Sequence, residues 1–209
     1  MTASECLTVE IIELLSVGLA KVESARAELV YSDTVGCILS GLTDAQVSAF
    51  AGCLPQGHAT EPVTGRCHPA GDMAMLFGFA AAADELDEGH YEAGGHPAAP
   101  VVAAILADNA VQRVAADTVL QAFVAGYEVG ARLGRALNLR PDVHPHGTWG
   151  VVGAAIAVAI LRSVQATDWP CIIDLAASLA TATSFDTPLL GGSIRSVWIG
   201  VSARNGMLA

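Results

Sequence analysis

Charge is scarce in this chain, and positive charge is scarcest. Charged residues make up 15% of the 209, and 10 basic residues face 21 acidic ones, a formal net charge of −11. Nucleic-acid and anionic-membrane binders need a basic face, so neither class fits. An anionic substrate would require the few cations to be gathered at its site. Aromatics are only 5%, and the β-branched or aromatic runs that mark strands are few. The five cysteines (Cys6, Cys37, Cys53, Cys67, Cys171) are odd in number, scattered, and show no C-x-x-C spacing. A disulfide framework or structural zinc site is therefore not expected, and a reducing cytoplasm is. The most apolar run, Val151 to Leu161, is too short to cross a bilayer and stops at Arg162. Glu5, Glu10 and Glu13 break the first apolar stretch and no basic leader precedes it, so no signal peptide is expected.

Hydrophobic residues reach 53%, with Ala and Gly dominant. Small residues let helices approach closely, so the expected fold is all-α, helix packed on helix, with no sheet of its own. Helical spacing runs from Leu7 to Leu19 and from Ala25 to Leu39, with Ser24 as the cap and Gly41 as the stop. Thr43-Asp44-Ala45-Gln46 has the form of a capping box for a short helix ending near Gly52. Leu54 to Gly71 reads as loop. Asp72 opens an Ala-rich helix to about Glu85, and Pro100 suits the first turn of a helix over Val101–Asn109. Further helices are predicted over Ala116–Leu137, Thr148–Ser163 and, capped by Asp168, Trp169 to about Thr183. Ser184 to Ser193 reads as loop. Val197, Val201, Met207 and Leu208 begin another apolar face that no later residue covers, so a partner is expected there.

Four of the six histidines fall in two short aperiodic segments, His90 with His96 and His144 with His146. The first segment also holds Asp84, Glu85, Asp87 and Glu88. Histidine beside carboxylate at helix junctions suits proton transfer near neutral pH. Solvated loop residues capping helix ends would give the same pattern. A metal site competes as well, but the spacing fits neither H-E-x-x-H nor another ligand pattern, so no metal is expected; no cofactor is expected either.

Five segments in order resemble the MmgE/PrpD family. They are Asp84-Glu85-Leu86-Asp87-Glu88-Gly89-His90 followed by Gly95-His96-Pro97-Ala98-Ala99-Pro100-Val101; Val143-His144-Pro145-His146-Gly147-Thr148-Trp149-Gly150; Ala125-Gly126-Tyr127-Glu128-Val129; Asp33-Thr34-Val35-Gly36-Cys37; and Ile194-Arg195-Ser196-Val197-Trp198. The resemblance covers the whole chain. It implies residues 1–209 as a partial helical domain, truncated before a lid domain. It also implies metal-independent dehydration, decarboxylation or epimerisation of a small polycarboxylic acid through an enolate-like state, completed by a C-terminal half or a partner.

On this resemblance Asp87, His96 and His144 take catalytic positions, with Asp84 and Glu85 competing with Asp87 for the acidic role. Asp84, Glu85, Glu88, His90, His146, Thr148 and Arg195 would contact substrate. Arg195 stands where many members have lysine, and as a permanently charged fork it would bind carboxylate rather than shuttle a proton. Phe77 and Ala82 depart from the family's frequent Asn and His. A homodimer, or a heteromer with a lid-bearing polypeptide, is implied. The alternative is a non-catalytic, diverged relative serving as a binding or assembly subunit.

Overall fold

A computed structural model describes residues 1–17 and 21–209. Among the described residues there are ten α-helices: α1 (Ala3–Val17), α2 (Lys21–Gly41), α3 (Ala45–Cys53), α4 (Ala70–Ala81), α5 (Ala98–Gln112), α6 (Ala116–Ala136), α7 (Gly150–Leu161), α8 (Trp169–Ser178), α9 (Asp186–Leu189) and α10 (Ile194–Leu208). Strand is confined, among those residues, to two antiparallel pairs of two residues each. β1 (Ala59–Thr60) pairs with β2 (Cys67–His68), and β3 (Val143–His144) pairs with β4 (Thr183–Ser184). The fold is all-α.

α7 lies at the centre because it has no polar face to show. Every residue in it except Ile160 is buried, and it packs against α5, α6, α8 and α10. A helix apolar all round must be enclosed. α4 forms a second hub against α2, α5 and α10. Its crossing with α10 depends on glycine: a Cβ on Gly78 would stand 2.5 Å from Gly200 Cα. At the far ends of the helices, Asp108 is 2% exposed. It accepts from Arg162 Nε at 2.9 Å, and Arg162 Nη1 donates to the Met207 carbonyl at 3.5 Å, which ties α5, α7 and α10 together.

Several boundaries differ from the sequence expectation. The expected end of the first helix at Leu19 lies outside the described residues. Ser24 sits inside α2 and bonds Glu28. The cap of α3 is Asp44, which accepts from Gln46 N and Val47 N, while Thr43 donates to the Ser40 carbonyl. α4 stops at Ala81 rather than near Glu85, because the Ala82 carbonyl accepts Ser196 Oγ of α10 and Glu85 takes a left-handed φ of 56°. α5 starts at Ala98, leaving Pro100 still in its first turn.

Asp168 makes no side-chain capping bond, because it closes a 3-10 turn whose backbone already orders the start of α8. α8 ends at Ser178, after which Thr181 N is drawn to the Gly147 carbonyl at 2.8 Å. The Ser184–Ser193 stretch contains α9. α10 buries Ile199, Gly200, Ala203, Gly206 and Met207 against earlier helices. Met207 is therefore covered by this chain, while Leu208 remains exposed.

Candidate functional site

The two histidine segments each end in a helix start, and those starts touch. A Cβ on Gly150 at the head of α7 would lie 3.0 Å from Pro100 Cγ in the first turn of α5. His96 and His146, just upstream, are thereby brought to a ring separation of 5.2 Å, and His144 stands 4.4 Å from His146. A third segment holds the second loop in place. β4 pairs with β3, and Thr183 Oγ1 donates to the His146 carbonyl at 2.8 Å. Gly147 makes the turn possible with φ of 94°, and a Cβ there would meet Thr181 Oγ1 at 2.5 Å. Phe185 and Trp198 flank His144 at 5.1 and 5.6 Å.

Hydrogen bonds assign a different nitrogen to each imidazole. His96 Nδ1 has two acceptors for one proton, the Glu88 carbonyl at 2.7 Å and Asp87 Oδ2 at 3.0 Å. The carbonyl is the aligned one, which leaves both Asp87 oxygens without an aligned donor. With Nδ1 committed in this way, Nε2 is the ring nitrogen left to exchange a proton with a ligand. The contact with the Asp87 carboxylate, 1% exposed, raises the pKa of His96 against the opposing effect of burial. His144 Nδ1 accepts from His146 N at 3.1 Å, so its proton sits on Nε2. Burial, and then the charge of His96, lower its pKa. His146 Nδ1 donates to the Arg195 carbonyl at 3.4 Å. Burial first, then its two histidine neighbours, push its pKa down to about 3.

The acidic cluster is divided among four partners. Asp84 accepts from Ser40 Oγ at 2.6 Å, Glu85 pairs with Arg195, and Asp87 backs His96. The carboxyl oxygens of Glu88 are buried beside Tyr127, and burial raises the carboxyl pKa to about 7. His90 is a turn residue: its Nδ1 accepts from Ala93 N at 3.1 Å and its ring meets Tyr127 edge-on. Thr148 Oγ1 donates to Pro145 O at 2.5 Å and so closes its own loop.

The cavity between the loops holds about 10 Å³ and is lined by His96 and His146 together with Trp149, Ile199 and Ser202. That is room for about one water. The acidic side chains and His144 lie outside its walls. Phe185 and the clamping Thr181 and Thr183 carry no signal in the sequence, and Trp149 and Trp198 were visible only as members of the quoted segments. Tyr127 was visible only as the centre of the Ala125–Val129 segment.

A family model described as the MmgE/PrpD N-terminal domain matches residues 18–209. The chain belongs to the MmgE/PrpD family. No match was found among curated proteins. In this MmgE/PrpD chain, no three His, Cys, Asp or Glu side chains among the described residues converge as a metal site. The described part of the MmgE/PrpD fold also holds no helix long and apolar enough to cross a membrane.

Proposed function

We propose that this chain carries the proton-transfer machinery of a lyase or isomerase acting on small polycarboxylic acids. The observation that carries the reading is the Asp87–His96 couple standing against two further imidazoles that stay neutral. Removing a proton from a carbon near a carboxylate builds enolate-like charge, so the reaction needs a base of moderate strength and donors aimed at that charge. His96 Nε2 is the transferring atom. Nδ1 is fixed by Glu88 and Asp87, and the raised pKa makes neutral His96 a stronger base. His144, protonated on Nε2, is a neutral donor rather than a base. Arg195 holds a carboxylate.

In a dehydration the carbon-bound proton passes to His96 Nε2, the C–O bond breaks, and the resulting imidazolium protonates the hydroxyl so that it leaves as water. Decarboxylation instead breaks a C–C bond, releases CO₂, and protonates the carbon from a His96 that starts as the imidazolium. Epimerisation leaves that proton on His96 and takes its replacement on the opposite face from solvent or from a donor of the completing polypeptide.

A substrate with two or three carboxylates needs more positive charge than Arg195 supplies. We infer that further cations come from a second copy or a lid-bearing polypeptide. The five free thiols suit a reducing cytoplasm.

A non-catalytic role is favoured by one observation, a space between the loops of about 10 Å³, room for about one water. Proton NMR of 2-methylcitrate or citrate in D₂O with the protein separates the two readings. The enzymatic reading expects deuterium exchange or loss of the carbon-bound protons, abolished by His96→Gln. Binding without exchange would put the non-catalytic reading in its place.

A further inference from the structure

Arg195 adjoins the imidazole cluster, tied to it through its own carbonyl and His146 Nδ1. Its side chain is 21% exposed, and its guanidinium is already engaged by the carboxylate of Glu85. Three features distinguish this pair from an ordinary surface ion pair. Glu85 is 58% exposed while its partner is sheltered, so the acid reaches inward from solvent. Its backbone has φ of 56°, a left-handed conformation that an L residue with a long side chain adopts at a cost. The two segments are pinned immediately beside the pair, where Ser196 Oγ donates to the Ala82 carbonyl at 3.2 Å. The pin keeps Glu85 within reach of Arg195 whether or not the two are in contact. Meanwhile the space between the histidine loops has room for about one water.

We propose that Glu85 is a built-in stand-in for a substrate carboxylate, occupying Arg195 until a free polycarboxylate displaces it. This rests on the reading of the site as a polycarboxylate site. The exchange replaces one carboxylate on Arg195 by another, so charge at the guanidinium is conserved and no bare cation is left beside the histidines. Release of Glu85 lets its backbone leave the left-handed region and returns its side chain to water, and both changes favour exchange. A monocarboxylate offers Arg195 no more than Glu85 does, and Glu85 has the advantage of being tethered. A di- or tricarboxylate can add contacts to His96 or to the His144 Nε2–H while it displaces Glu85. The tethered acid therefore weakens every carboxylate by one common factor, and a polycarboxylate, with contacts to spare, still binds where a monocarboxylate does not.

Isothermal titration of the full chain with citrate and with acetate tests this, using wild type, Glu85→Gln and Arg195→Gln. Thermal melts of each variant establish folding. An ion pair at a half-open site holds its closed form by a factor of about five. Glu85→Gln is therefore expected to tighten citrate and acetate binding each about fivefold, while Arg195→Gln weakens citrate. Equal citrate affinity in wild type and Glu85→Gln, with Arg195→Gln still weaker, would overturn the stand-in and leave the polycarboxylate reading in place. No citrate binding by any folded form would overturn that reading, and the stand-in with it.

Discussion

Glu88 and His146 are buried close to the imidazole cluster, and burial acts on them in opposite directions because it penalises whichever form carries charge. Glu88 is held protonated, its pKa raised from 4.5 to about 7. A raised folded-state pKa contributes stability that is complete below 4.5 and is lost as pH rises through about 7. His146 is held neutral, its pKa lowered from 6.5 to about 3. A depressed histidine contributes stability present above 6.5 and lost as pH falls toward about 3. Between pH 6.5 and 4.5 the two oppose one another. Thermal melts across that window should show Glu88→Gln losing stability more steeply on acidification than wild type, because the compensating contribution is gone. His146→Asn should lose it less steeply. Parallel curves for all three proteins would mean that neither group titrates as its burial requires.

At the scale of the element, the glycines divide into those the packing needs and those it does not. Gly36 lies inside α2, and a Cβ added there would meet nothing within 4 Å, whereas a Cβ on Gly78 would meet Gly200 Cα at 2.5 Å. Alanine relieves the helix cost of glycine by about 1 kcal/mol. At Gly78 the obstacle is backbone that cannot rotate aside, and overpacking costs about 1–3 kcal/mol or more. Denaturant unfolding is expected to find Gly36→Ala more stable by about 0.5–1 kcal/mol and Gly78→Ala less stable than wild type. If both shift the same way, α4 and α10 are not in the contact described.

Helices were legible because apolar spacing and small-residue content act locally. Asp44 is an example: it caps α3 through its own next three residues. The misplaced ends were set at a distance. Nothing near Ala82 reveals that Ser196 will take its carbonyl, and nothing near Ser178 reveals that Thr181 will turn to Gly147. The site shows the same division. His96 and His144 stand out as histidines at helix junctions. The partition of the four neighbouring acids does not, because Ser40, Tyr127 and Arg195 reach them from three other helices.

For the whole molecule, a net charge of −11 surrounds a site proposed to bind polyanions, so its chemistry depends on a few groups held in defined protonation states. The central claim is that two distant loops form one coupled site with His96 as its titrating member. Histidine-selective NMR titration tests this most directly. His96 is expected to titrate above 6.5 and His144 below it, with Asp87→Asn bringing His96 down. Because the charge of His96 helps depress His144, His96→Gln should move the His144 titration upward. A His96 that titrates at or below 6.5, together with a His144 indifferent to His96→Gln, would contradict the account.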